Sequence, residues 1–250
     1  MFGILCATVE EIAALRARLD VEPEPEIHGP TRAWRGRHAG APLVLAQAGI
    51  GKVNAAAAAT LLLSLFDVTA LIFCGVAGGL DPELPVGAVL LADRLAIHDY
   101  GVMAGGRLTS TKSGLAPLGA PELAALSPVP PKVRVTLVHL AEILRSQIEA
   151  PVRLGGIVTA DYFLNCADTR SDLHARFGAH AIDMESGAVS QVAEAWGVPL
   201  YVIRTLSDLA GEESHLTYPQ MAQMAAHNSA LCVLDLLTIL GGVDVEAGAP

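Results

Sequence analysis

Positive charge is scarce in this 250-residue chain: 16 Lys and Arg stand against 26 Asp and Glu, a formal net charge of −10. No basic arm or stripe is present, which argues against a nucleic-acid or anionic-membrane surface. Cysteine is sparse too. Cys6, Cys74, Cys166 and Cys232 are widely scattered and lack the paired spacing of zinc or redox motifs. Buried free thiols in a reducing compartment fit them best. The start, Met1-Phe2-Gly3-Ile4-Leu5, has no basic leader before Glu10-Glu11, unlike a signal peptide. The most apolar region, 53–80, is cut by Asp67 and contains a glycine cluster at 75–79, so it reads as a helix followed by a strand. The expectation is a soluble, cytoplasmic protein with no membrane or nucleic-acid partner.

Aromatic residues make up only 4% of the chain, whereas Ala, Leu, Val and Gly are abundant enough for a large core. Residues 2–7 form a short apolar run suited to a buried strand. Thr8 followed by Glu11 has the spacing of a capping box, with a helix to about Leu19. Residues 21–30 read as a Pro-rich loop, and 31–38 and 42–47 as neighbouring strands. Ala48-Gly49-Ile50-Gly51-Lys52-Val53-Asn54 is a glycine turn opening an Ala-rich helix. It is not a triphosphate loop, because Ala46 replaces the first glycine and Val53 the Ser or Thr after Lys52. A strand over 69–74 ends in Gly75-Val76-Ala77-Gly78-Gly79, where the backbone must bend sharply or approach something closely.

A strand over 86–93 precedes His98-Asp99, which reads as a loop hydrogen bond because no nucleophile or ligand spacing accompanies it. Residues 101–131 read as a long loop, 132–149 as a helix and 152–159 as a strand. Tyr162-Phe163 follows, either core or a stacking platform for a planar ligand. The stretch 181–208 reads strand, amphipathic helix, strand. It places Glu185 at one strand end and Arg204 and Asp208 at another, where α/β proteins gather their catalytic groups. Glu185 has a plainer reading as a helix-start acid, and Arg204 with Asp208 as a structural pair. A polar loop over 209–218, a helix over 219–240 and a tail complete the chain. Alternating strands and helices favour a single-domain α/β sandwich over 1–241, with a C-terminal tail at 242–250.

Taken in order, these pieces resemble the nucleoside phosphorylase/hydrolase family, most closely its 5′-methylthioadenosine/S-adenosylhomocysteine nucleosidases. The resemblance spans nearly the whole chain and is carried by residues 3–11, 48–55, 75–80, 159–165, 183–185 and 204–216. It implies a three-layer α/β/α sandwich with a central mixed sheet, a homodimer, and hydrolysis of a purine nucleoside without metal or redox cofactor. By the same resemblance Glu11 positions the attacking water, Glu185 binds the ribose hydroxyls with Met184 against the sugar, and Asp208 serves the leaving purine. Ser207 precedes that acid and Arg204 lies near the nucleophile site. Phe163 stacks on adenine, the Leu164 backbone reads the base edge, and Ile50 and Tyr218 line the pocket for the 5′ group.

The chemistry suits these residue types. Cleaving the N-glycosidic bond makes the sugar positive and the purine electron-rich. A protonated Asp208 improves the leaving group, and Glu185 stabilises the developing charge. Phosphorylase relatives carry an Arg-bearing, Gly-rich phosphate cradle where this chain has Thr8-Val9-Glu10-Glu11. An acid about 4 Å from a phosphate charge is repelled by roughly 4 kcal/mol at an effective dielectric of ~20, before Arg204 is counted. Val76 departs from the family's usual Ser or Thr, and 101–131 from its usual apolar pattern. Cleavage of futalosine is therefore one alternative, and noncatalytic nucleoside storage, which the family also contains, is another, with phosphorolysis less favoured.

Overall fold

The computed structural model describes residues 1–247, with side chains through Gly242. Strand β1 (Phe2–Cys6) is buried throughout. Thr8 ends it and caps α1 (Val9–Arg16), its hydroxyl accepting from Glu11 N–H while the Glu11 carboxylate accepts from Thr8 N–H. Short strands β2 (Asp20–Val21) and β3 (Glu26–His28) occupy part of the stretch predicted as loop. Both pair with β4 (Thr31–His38), which supplies the backbone partners that a Pro-rich sequence does not advertise. Then follow β5 (Ala41–Gln47), α2 (Lys52–Leu65) and β6 (Ala70–Gly79). β6 continues through the glycine cluster instead of turning at it, because β13 (Leu200–Asp208) pairs along it to Gly78.

β7 (Val89–Ile97) leads into a second departure from expectation. β8 (Gly101–Ala104) and β9 (Arg107–Ser110) form a hairpin inside the predicted loop. Its turn is Gly105-Gly106, with φ of +57° and +77°, the left-handed pair that a two-residue hairpin turn favours. β10 (Ser127–Pro128), α3 (Pro131–Leu144), β11 (Val152–Thr159), α4 (Ala167–Phe177), β12 (Ala179–Asp183) and α5 (Ser186–Trp196) precede β13. The final helix, α6 (Ser214–Ala247), starts five residues earlier than expected and carries Pro219 inside it. The predicted tail at 242–250 falls almost wholly outside the described side chains.

Among the described residues, eleven strands join one mixed sheet. β1 runs parallel to β5 and β6, whereas β12 is antiparallel to β6 and β13 antiparallel to β7. With β11 parallel to both β7 and β12, the pairings close a ring: β6, β13, β7, β11, β12 and back to β6. Side chains alternate across the strands. Ile4, Cys6, Ile72 and Ile203 face a core completed by α1, α3 and α6, whereas Leu5, Leu71, Phe73 and Val202 face α2 and α5. A sheet buried on both faces explains the near-continuous apolar runs. α6 is long and apolar enough to cross a membrane by length and composition. In the fold its Ala225, Ala226, Ala230, Val233, Leu236 and Leu237 are buried instead.

Gly75 is where this sheet meets charged chemistry. A Cβ there would lie 2.2 Å from Glu11 Oε1 and 2.5 Å from an Arg204 terminal nitrogen. Replacing Gly75 by Ala is expected to cost about 1–3 kcal/mol through overpacking, seen as a lower urea midpoint. Gly242→Ala, in open space on α6, is expected to be neutral or slightly stabilising.

Candidate active site

The carboxyl ends of β1, β6, β12 and β13 surround a cavity of about 280 Å³. Ten of the eleven side chains expected at a site line it: Glu11, Ile50, Val76, Phe163, Leu164, Met184, Glu185, Ser207, Asp208 and Tyr218. Arg204 does not. It is fully buried under the floor, its guanidinium 4.2 Å over the Phe73 ring and bound to Asp183 Oδ2 at 2.9 Å. It also donates to Ser186 Oγ at 3.2 Å, and Glu185 lies beyond at an N···O distance of 3.5 Å. Sequence reasoning assigned no role to Asp183, the acid that neutralises this charge. That residue also accepts from Thr159 Oγ1 at 2.6 Å, from Ser186 N–H at 3.2 Å and from the Ser186 hydroxyl. Its one available signal was the acid two residues before Glu185 at a helix start.

Glu11 keeps its capping role and acquires another. Oε2 accepts from the N–H groups of Ala7 and Thr8 at 2.8 and 3.0 Å, and Oε1 accepts from Val76 N–H at 3.0 Å. A carboxylate has about four lone-pair sites. Three are taken, leaving one for a group in the cavity.

Glu185 sits as the N-cap of α5, and its Oε1 accepts from Gly51 N–H at 2.9 Å. Gly51 (φ +93°) and Gly49 (φ +90°) adopt the left-handed region, so the turn that offers this N–H needs glycine. Burial, with Asp183 and Glu11 adding repulsion, pushes Glu185 up to about 7 despite the opposing pull of Arg204 and the Gly51 N–H. Asp208 is also raised, by burial above all, against hydrogen bonds from Ala210 N–H at 2.8 Å and Ser207 Oγ at 3.0 Å. Two buried acids with raised pKa values and one held by backbone donors give a cavity for proton transfer and cation stabilisation. Among the described residues no group of three or more His, Cys, Asp or Glu is arranged as metal ligands.

Aromatic rings cover the mouth. Phe163 is 47% exposed and meets Tyr218 edge-on, with centroids 5.8 Å apart. Tyr162 lines the wall beside them, its hydroxyl 2.8 Å from His98 Nε2. The adjacent aromatic pair thus lines the cavity and is not core.

Because its folded pKa is raised, Glu185 contributes stability that is fully present below about 4.5 and is lost as pH rises through about 7. Glu185→Gln removes that titration. Its stability relative to the parent chain is expected to improve between pH 4.5 and 7, by about 3 kcal/mol at most, in urea unfolding across that range.

Known proteins resemble this chain over nearly its whole length. A 5′-methylthioadenosine/S-adenosylhomocysteine nucleosidase of Mycobacterium bovis is 38% identical over 248 residues, covering 95% of this chain and 97% of its own. That of Geobacillus thermodenitrificans is 36% identical over 240 residues, covering 95% and 96%. The solved nucleosidase of Neisseria meningitidis, in complex with methylthio-immucillin-A, superposes with a TM-score of 0.81 at 30% identity, covering 94% and 97%. A futalosine hydrolase of Helicobacter pylori also superposes with a TM-score of 0.81, at 25% identity, covering 95% and 97%. Residues 1–238 match the family model of the phosphorylase superfamily, and the chain belongs to that superfamily.

Proposed function

We propose that this chain is an N-glycosyl hydrolase that cleaves 5′-methylthioadenosine, S-adenosylhomocysteine or both, releasing adenine and the thioribose product. The observation that carries this reading is the placing of Glu11, Glu185 and Asp208 around one cavity under an aromatic lid. The named activity of the relatives at 36–38% identity supports it. Adenine stacks on Phe163 with its edge at the Leu164 backbone, and Asp208, whose carboxyl is made harder to ionise by burial, gives a proton to the ring as the C1′–N9 bond breaks. Glu185 and Met184 hold the ribose, and Ile50 and Tyr218 meet the 5′ group. Arg204 acts through Glu185 and Asp183 from below, without touching substrate. The sugar's developing positive charge faces Glu185, and water oriented by Glu11 adds its oxygen to C1′ while its proton passes to the Glu11 carboxylate.

Water is preferred to phosphate for a structural reason. The N–H groups of Ala7, Thr8 and Val76, a natural anion nest, are already filled by the Glu11 carboxylate. A noncatalytic storage protein has no need of three acids so arranged. Cleavage of futalosine stays as a second reading, because a futalosine hydrolase superposes equally well and Val76 presents an apolar wall where the family resemblance implies a hydroxyl.

We also propose a homodimer, acting in methionine salvage and nucleoside catabolism in the cytoplasm. The dimer is supported by exposed apolar residues on one face: Val53 and Trp196 line a groove that shares Lys52, Ile97 and Gln191 with the groove holding Leu115.

Purine release from methylthioadenosine, S-adenosylhomocysteine, adenosine and futalosine, each with and without phosphate, tests the reading. Phosphate-independent adenine from the first two is expected. Hypoxanthine from futalosine alone, or a rate that requires phosphate, would overturn it. Asp208→Asn is expected to lower kcat by about 100-fold or more while the unfolding midpoint stays close to that of the parent chain.

A further inference from the structure

The reaction leaves one charged cluster unused, next in sequence to elements that line the cavity. Lys52 Nζ lies 2.5 Å from Asp99 Oδ1 and 3.4 Å from Asp161 Oδ2. The other oxygen of Asp99 accepts from Asp161 N–H at 2.9 Å, and Asp161 Oδ1 accepts from Lys52 N–H at 2.9 Å. These contacts form a closed circuit through side chains and backbone of three residues far apart in sequence.

Each member stands beside a substrate-binding element. Lys52 N–H is the first of α2, next to the Gly51 N–H that binds Glu185. Asp161 begins the segment that carries Phe163 and Leu164. Asp99 follows His98, whose Nε2 meets the Tyr162 hydroxyl at 2.8 Å. Two consecutive residues after β7 therefore grip two consecutive residues after β11, and Lys52 ties both to the glycine turn. The Lys52 and Asp99 side chains are only 20% and 18% exposed, so solvent screens their attraction incompletely. His98, held down to about 4 chiefly by burial, stays neutral and suits a bond to a tyrosine that burial holds protonated.

We propose that Asp99, acting through Lys52 and Asp161, is a positioning residue that locks the adenine-stacking segment 160–164 to the ribose-binding turn 49–52. Without the lock, base and sugar are held by two separately mobile segments. The acid serving the purine and the carboxylate facing the sugar then no longer meet one fixed nucleoside. Small misplacements of this kind cost up to about 100-fold in rate. The inference rests on the nucleosidase reading for its catalytic consequence, but not for the clamp itself.

The test compares Lys52→Met, Asp99→Asn and the double variant. Nucleosides engage both segments, whereas free adenine engages only the stacking segment and Asp208. In Lys52→Met, kcat/KM for methylthioadenosine is expected to fall about tenfold or more, with adenine affinity by calorimetry changed less than about threefold. The double variant is expected to lose no more than Lys52→Met alone, since one circuit is broken only once. Hydrogen exchange in the ligand-free protein is expected to quicken at 49–52 and 160–164 and nowhere else. An unchanged kcat/KM, fully multiplicative losses, or exchange quickened throughout the fold would overturn the proposal. If the parent chain releases no adenine, the functional reading fails instead, and exchange confined to those two segments still supports the clamp.

Discussion

Burying a guanidinium costs several kcal/mol unless its charge and donors are met, and Arg204 is buried completely. Asp183 supplies the charge, Ser186 Oγ accepts at 3.2 Å, and the Phe73 face lies on one side. Gly75 leaves the space in which Arg204 and Glu11 approach each other. Much of the site follows from this one buried cation. Asp183 is held by the start of α5, so pairing it fixes where that helix begins. Glu185, two residues on, is thereby brought to the floor of the cavity with only a share of the positive charge. That share is too small to offset burial, and Glu185 remains a weak acid.

The carboxylates around the cavity also close helices. Glu11 completes the capping box of α1, Asp161 accepts from the first N–H of α2, and Asp183 accepts from the first N–H of α5, whose N-cap position Glu185 occupies without a side-chain cap bond. Helix starts have unpaired donors and a partial positive charge. Acids placed there are held in fixed orientations by groups that need them. In Glu11 the bonds that satisfy the helix also aim the carboxylate at the cavity.

The sequence made the local features legible. The Thr8 and Glu11 spacing showed the capping box, the apolar run at 152–159 matched β11, and the acids at 185 and 208 fell at strand and helix ends as expected. The resemblance brought ten cavity-lining residues together that periodicity alone could not associate. What escaped was pairing between distant residues. Neither the role of Asp183 beneath Arg204 nor the meeting of Lys52, Asp99 and Asp161 leaves any periodic trace. The hairpin of β8 and β9 was a different failure. Its Gly105-Gly106 signal was present, but the surrounding Ser, Gly and Pro composition outweighed it. β6 was cut short because its glycines looked like a turn, whereas pairing with β13 carries the strand through them.

The closed ring of β6, β13, β7, β11 and β12 has a consequence for how the molecule comes to exist. β13 lies between β6 and β7, yet it is made more than a hundred residues after either. Until it arrives, both strands present unpaired backbone on the side it will occupy. Such contacts between remote segments are slow to form and leave sticky edges exposed while they wait. The cavity cannot be assembled piecemeal during synthesis, because Asp208 is the last residue of the strand that closes the hoop. Ring closure and completion of the acid set are thus a single late event, and a partly made chain carries neither.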